Sequence, residues 1–195
     1  MKNLIVYAHP NPRSFNHAIM ETLAGELRAA GHEVRVRDLY EQNFDPVLKP
    51  SDFELIQTGK AAADVKIEQE HIAWANVISF VHPIWWTGLP AILKGYIDRV
   101  FSFGFAYKIG ETGVAGLLND KKVLIINTTG TPEEMYAKSG MFNSILQTSD
   151  DGIYKFCAME VLKHVFFTAI PYITDAERAK MLEEVRGVAK TICQK

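Results

Sequence analysis

The sequence predicts an α/β domain: a doubly wound five-stranded parallel sheet, order 2-1-3-4-5, with helices on both faces. Three observations predict it. Leu4–Ala8, Val77–Val81 (broken only by Ser79) and Val123–Ile126 are short apolar runs that read as strands covered on both faces. Segments of helical periodicity alternate with them. The loops after the first, third and fourth strands carry the unusual residues, and right-handed crossovers bring those loops to one end of the sheet.

The 195 residues suit one domain spanning 1–195 with a substantial core. A hydrophobic content of 48% and a charged content of 23% are ordinary for a globular protein. A net charge of −2 argues against a general nucleic-acid surface, which needs a basic excess. Cys157 and Cys193 are far apart and form no CxxC, so they read as ordinary buried or half-buried thiols. The first apolar run is too short for a signal-peptide core, and no stretch reaches membrane-spanning length. The reading is a soluble cytoplasmic protein with no membrane insertion.

Each element follows in order. Leu4–Ala8 is the first strand, ended by Pro10 and Pro12. Ser14 is placed to cap a helix whose stripe is Phe15, Ile19, Leu23 and Leu27, with Gly31 ending it. Val34 and Val36 alternate with charged residues, as in a half-exposed edge strand. Residues 38–50 are irregular, and 51–75 read as two polar helical pieces. The third strand leads into His82-Pro83-Ile84-Trp85-Trp86-Thr87-Gly88-Leu89. Pro90 suits the first turn of a helix with Leu93, Ile97 and Val100 on one face. Phe101–Tyr107 is aromatic and Gly-interrupted, with Gly110 and Gly113 marking a turn. The fourth strand ends in Asn127-Thr128-Thr129-Gly130-Thr131-Pro132. Val165–Phe167 is the last strand. Thr174-Asp175-Ala176-Glu177 is a capping box for a helix lined by Met181, Leu182, Val185, Val188, Ala189 and Ile192.

Two adjacent tryptophans in a strand–helix loop suit a platform for a flat conjugated ligand; they also suit a pair of core rings stapling the loop. The first loop, 9–16, has neither GxGxxG nor a Walker lysine. Its helix N-terminus, Ser14 and Asn16, with positive charge from His9 and Arg13, would still hold a phosphate. The same residues also describe a capped helix with a solvated arginine. Thr128, Thr129, Gly130 and Thr131 give hydroxyl groups and a close backbone approach. Alone, that turn is an ordinary strand end. Phosphate site, aromatic wall and Gly/Thr turn together describe a flavin pocket. His9, His17, His32, His71, His82 and His164 show no metal-ligand spacing, so no metal is expected.

Taken in order, several segments carry a family resemblance: Ala8-His9-Pro10…Ser14-Phe15-Asn16, Asp38-Leu39-Tyr40…Asn43-Phe44-Asp45-Pro46, Pro83-Ile84-Trp85-Trp86…Gly88-Leu89-Pro90-Ala91-Ile92-Leu93-Lys94-Gly95, Arg99-Val100-Phe101, Phe105-Ala106-Tyr107 and Thr128-Thr129-Gly130…Met135-Tyr136. Over nearly its whole length the chain resembles the flavodoxin-like NAD(P)H:quinone oxidoreductases, including bacterial modulator-of-drug-activity-type relatives. The resemblance implies a flavodoxin-like fold and a homodimer with the active site at its interface. It implies ping-pong hydride transfer from NAD(P)H through a flavin to a quinone-type acceptor. It places His9, Arg13, Ser14, Phe15, Asn16 and Ala18 on the flavin's phosphate side. Pro83, Ile84, Trp85, Trp86 and Thr87 lie against its ring, and Thr128, Thr129, Gly130 and Thr131 hold the other edge. Tyr136 and Gly130 take catalytic roles, Tyr136 assisting proton or charge movement. Trp86, Tyr107 and Phe142 line the substrate pocket, Tyr107 from across the dimer. Arg178 lies near the outer end of the cofactor; with 43–46 it favours FAD, with FMN the alternative.

The chain departs from the family twice. Mammalian members carry a histidine shortly after the catalytic tyrosine, and Phe142 stands there instead. Thr87 replaces a more common aromatic, which widens the pocket. Two other functions use the same fold: a flavodoxin-type electron carrier, and an ancillary regulatory subunit of a potassium-efflux system.

Overall fold

The computed structural model describes residues 1–111 and 113–193. In chain order its elements are β1 (Lys2–Tyr7), α1 (Phe15–Ala29), β2 (Glu33–Asp38), α2 (Pro50–Gln57), α3 (Ala63–Trp74), β3 (Val77–Pro83), α4 (Ala91–Val100), β4 (Tyr107–Gly110) and β5 (Gly113–Gly116). Then follow β6 (Lys122–Thr128), α5 (Glu133–Ser139), α6 (Met141–Leu146), a π-helical stretch (Gln147–Lys155), β7 (Glu160–Phe167) and α7 (Asp175–Cys193). The main sheet is parallel, in the order β2-β1-β3-β6-β7. With the small β4–β5 hairpin set aside, this is the expected 2-1-3-4-5 flavodoxin-like arrangement.

Side-chain alternation gives the sheet two cores. Leu4, Val6, Ile78, Phe80, Val123 and Ile125 face α3 and α4. Ile5, Tyr7, Val77, Val81, Leu124 and Ile126 face α1 and α7. β2 is partly exposed, as its alternation predicts for an edge. The Ser14 hydroxyl accepts from His17 N–H at 3.1 Å, and Thr174 and Glu177 form the expected capping box. No helix of the described residues is long and apolar enough to cross a membrane.

Four parts differ from the expectations of the sequence. Tyr107–Gly110 and Gly113–Gly116 pair antiparallel, hidden in the sequence by short length and glycine. Residues 133–155 form two short α-helices and a π-helical stretch, whose wider winding leaves no 3.6-residue pattern to read. β7 begins at Glu160, because polar residues interrupt its apolar run. Pro90 also sits just before α4, as its cap, rather than inside the first turn.

The 43–46 segment is seated on α4. A Cβ on Gly95 would lie 2.1 Å from the Pro46 carbonyl oxygen, so only glycine permits this approach. Phe44 packs on Tyr96, with ring centroids 5.4 Å apart. Arg99 completes the knot. Its guanidinium donates to Asp52 (3.1 and 3.2 Å), Asp64 (2.6 Å) and the Asp45 carbonyl (2.7 Å). Packing against α4 therefore accounts for a segment whose resemblance had favoured FAD.

The bond from Arg99 holds the Asp52 carboxyl below its ordinary pKa. Asp52 therefore adds stability in full above the ordinary carboxylate range and loses it as pH falls through the lowered value. Removing the guanidinium strands a buried carboxylate, so Arg99→Met should lower unfolding free energy by about 3–5 kcal/mol in urea titrations. The wild-type loss near the acid end should shrink in the variant, and an equally steep acid limb would contradict the assignment.

Candidate functional site

The three unusual loops meet at Thr128. It pairs with Pro83 across the ends of β6 and β3. Its carbonyl accepts from Ile84 N–H at 2.7 Å, and its hydroxyl accepts from Asn16 Nδ2 at 2.6 Å. One strand-end residue thus binds the second loop through its backbone and the first through its side chain. The Asn16 Oδ1 beside it is buried without a partner, as is Nδ1 of neighbouring His17. Buried polar atoms are almost always paired, so two orphans here fit a ligand-binding edge.

In the first loop, Tyr7 OH and Ser14 Oγ lie 3.2 Å apart, and Arg13 N–H donates to Asn11 Oδ1. His9 Nδ1 accepts from Asn11 N–H at 3.0 Å, and its ring meets Trp85 at 5.7 Å. Burial pushes the His9 pKa below its ordinary value, which leaves Arg13 rather than His9 as the loop's cation at neutral pH. Phe15 packs edge-on against Phe167. Ala18 is half-buried, one turn into α1.

The second loop is a tight reversal. Trp85 and Gly88 exchange backbone hydrogen bonds of 3.1 and 3.0 Å. Trp86 (φ 50°) and Thr87 (φ 60°) between them both adopt left-handed backbone. This is a type I′ geometry, where Asn-Gly is the usual choice. A β-branched threonine there is strained. Trp86 is wholly exposed and Trp85 is 41% exposed, so the pair does not staple a core. The strain holds indole surface outward at the strand ends.

In the third loop, Thr129 N–H donates to the Phe167 carbonyl and Thr131 N–H to Thr129 Oγ1. Thr129 is thereby removed from the backbone donors expected to face a ligand. Among the described residues, Gly130 N–H is the one the turn leaves free. Pro171 covers Gly130, and Arg178 Nη2 donates to the Ile170 carbonyl beside it, which places Arg178 at the outer side of this turn.

Tyr136, on α5, packs with Ile84 and Ile145. Phe142 meets the Tyr136 ring edge-on at 5.4 Å. It occupies the neighbouring position but has no proton to exchange. Tyr107 packs between Phe103 and Phe156 of its own chain, apart from the tryptophan turn.

A cleft of about 410 Å³ opens beside the turn, with Ile84, Thr87, Leu89 and Ile145 as its apolar wall. Its polar floor is His82 and Asn127, with Ser149 at the rim. None of these three stands in a motif that marks it from sequence. A signal was available: His82 and Asn127 each continue, at period two, a strand face otherwise occupied by Phe80 and Ile125. A smaller groove of about 250 Å³ runs between β7 and α7, on the sheet's flank and away from the strand ends.

Comparison with known proteins agrees with this architecture. Residues 1–188 match the family model described as Flavodoxin-like fold. A Haemophilus influenzae protein named as an NAD(P)H oxidoreductase is 38% identical over 94% of this chain and 91% of its own. Rat NAD(P)H dehydrogenase [quinone] 1 is 33% identical over 97% of this chain and 76% of its own. Among solved structures, Smu.1420 of Streptococcus mutans superposes with a TM-score of 0.85 at 38% identity, covering 98% of this chain and all of that one (100%). The NAD(P)H:quinone oxidoreductase of Methanothermobacter marburgensis gives 0.88 at 26% identity, covering 98% of each chain. By fold, by loop chemistry and by these relatives, the chain belongs to the flavodoxin-like family of NAD(P)H:quinone oxidoreductases.

Proposed function

We propose that the protein is a flavin-dependent NAD(P)H oxidoreductase that reduces quinone-type acceptors by two electrons. The observation that carries this reading is the three-loop junction at Thr128, with exposed indole on one side and unpartnered Asn16 Oδ1 on the other. When bound, the flavin supplies the hydride chemistry between NAD(P)H and the acceptor.

The chain supplies position and charge. The N-terminus of α1, with Arg13, Ser14 and Asn16, offers N–H groups and positive potential to a phosphate; His9, Phe15 and Ala18 flank it. Pro83, Ile84, Trp85, Trp86 and Thr87 form the wall, and Thr128–Thr131 the opposite edge. Gly130 N–H and the Tyr136 hydroxyl are the donors where negative charge would collect. One open face beside Trp86 and Phe142 admits nucleotide and acceptor in turn, which is a ping-pong order. Arg178 supports FAD over FMN. Ile109 and Val114 leave an apolar hairpin face exposed beside Tyr107, which suits a homodimer that shares the site.

The visible spectrum of purified protein tests the reading. A flavin spectrum should bleach with NADPH or NADH and return with benzoquinone, and chromatography of the released cofactor names FAD or FMN. A flavin that neither nucleotide reduces would support an electron carrier instead. Tyr136→Phe should slow cofactor reduction several-fold, the loss of about one hydrogen bond; an unchanged stopped-flow rate removes Tyr136 from this role. Thr87→Gly should relieve the turn's strain and raise apo-protein stability by about 1 kcal/mol, after allowing for glycine's entropy. An unchanged melting temperature would show that Thr87 stores no strain.

A further inference from the structure

A line of polar side chains crosses the top of the α4-side core. Asp150 comes from the π-helical stretch, His164 from β7, Asn127 from β6 and His82 from β3. His164 Nδ1 lies 2.7 Å from Asp150 Oδ1, and His164 Nε2 lies 2.7 Å from Asn127 Oδ1. Asn127 Nδ2 lies 3.0 Å from His82 Nε2, and His82 Nδ1 lies 2.9 Å from the Pro83 carbonyl oxygen. The Ser149 hydroxyl donates to Asp150 at 3.1 Å.

Donors and acceptors in this line match in one direction only. The Pro83 oxygen accepts, so His82 Nδ1 carries a hydrogen. Burial pushes the His82 pKa down to about 4, so its Nε2 is a bare acceptor at neutral pH. Asn127 must therefore turn its NH₂ toward His82 and its oxygen toward His164. His164 Nε2 then donates, and its Nδ1 can meet the Asp150 carboxylate only with one more proton between them. The line holds one proton more than two neutral imidazoles carry.

Loss of that proton breaks the line at one of two places. His164 can keep its hydrogen on Nε2 and set a lone pair against a carboxylate. Alternatively its hydrogen moves to Nδ1, Asn127 turns over, the His82 hydrogen moves to Nε2, and the Pro83 oxygen loses its donor. The first arrangement sets a lone pair against a full negative charge and the second against a neutral carbonyl, so the second is favoured. The affected peptide begins the tryptophan turn, and its N–H is the Ile84 donor to Thr128.

We propose that Asp150 and His164 are positioning residues for the flavin wall: through Asn127 they fix His82 in its Nδ1–H tautomer and so hold the Pro83–Ile84 peptide and the Trp85–Gly88 turn in place for the ring. The proposal rests on the flavin reading above. It makes flavin affinity depend on hydrogen-bond partners carried by other elements. The groups facing His164 are Asp150 from the π-helical stretch, itself bonded by the Ser149 hydroxyl, Asn127 from β6, and the stacked Phe166 of its own strand. Lys94 of α4 lines the cleft beside His82 and is paired with Asp98, while the buried Tyr154 hydroxyl feels the Asp150 charge.

The test follows histidine ring ¹⁵N shifts and FMN affinity in wild type, Asp150→Asn and Asn127→Asp at one neutral pH. In the apo wild type His82 should carry its hydrogen on Nδ1. In Asp150→Asn the new amide donates to His164 Nδ1, and His82 should keep Nδ1–H. In Asn127→Asp the carboxylate only accepts, so the His82 hydrogen should move to Nε2, and FMN affinity, read by fluorescence quenching, should fall about tenfold. A wild-type His82 that carries its hydrogen on Nε2 while FMN binds, or an unchanged His82 tautomer and affinity in Asn127→Asp, overturns the proposal alone. Failure of FMN and FAD to bind the wild type overturns it together with the flavin reading. The wild-type tautomer needs no variant, so it decides the matter even if a variant does not fold.

Discussion

The ligand end of this protein depends on how Thr128 is bonded. A parallel sheet with right-handed crossovers leaves its strand ends open where the order reverses, here between β1 and β3. Open strand ends alone would leave three independent loops. Thr128 joins them, because a threonine offers a strand carbonyl and a stiff, well-placed hydroxyl at one position. Its carbonyl fixes the second loop and its hydroxyl the first. A serine would keep both groups but add rotamer freedom; a valine would keep the shape and leave the buried Asn16 amide without its acceptor.

Just below that junction, the fold accepts polar residues where neighbouring strand positions are apolar. His82 and Asn127 are almost wholly buried, and an unpaired group at either place would cost about 1–3 kcal/mol. The line from Asp150 to Pro83 satisfies each in turn, which removes that penalty and fixes their orientation. Arg99 solves a similar problem at the other end of α4, joining Asp52 and Asp64 beneath the 43–46 segment. The two networks act differently. The Arg99 knot carries fixed charges and locks two helices, whereas the histidine line carries a movable proton and ends at the candidate site.

The sheet was legible in the sequence because burial on both faces writes apolar runs such as Val123–Ile126, and caps such as Ser14 and Thr174 write local side-chain rules. The β4–β5 hairpin and residues 133–155 were not legible, since short glycine-rich strands and π-helical winding follow neither period. Loop chemistry also showed plainly in the tryptophan pair and the Thr-Gly turn. What it hid was the use of individual atoms: Thr129 N–H looked available until Phe167 claimed it. The histidine line was out of reach because its members lie on four elements far apart in the chain. Only the periodic substitution of His82 and Asn127 into apolar faces hinted at it.

Phe142 gives the missing family histidine a physical meaning. Tyr136, Phe142, Phe166 and His164 form a continuous aromatic row: edge-on at 5.4 Å, tilted at 5.0 Å, then stacked at 4.1 Å. A histidine at position 142 would place a titratable ring beside the tyrosine, with Phe166 still between it and His164. With phenylalanine there, two apolar rings, Phe142 and Phe166, lie between the tyrosine and His164, and the two stay separate. Tyr136 is left to act on its own side, against Ile84 and Ile145. His164 is left to act through Asn127 and His82, beneath the wall. Phe142 therefore removes a proton route at the tyrosine, while Phe166 insulates the buried line, whose hydrogen-bond direction can be set by Asp150 without interference from the tyrosine.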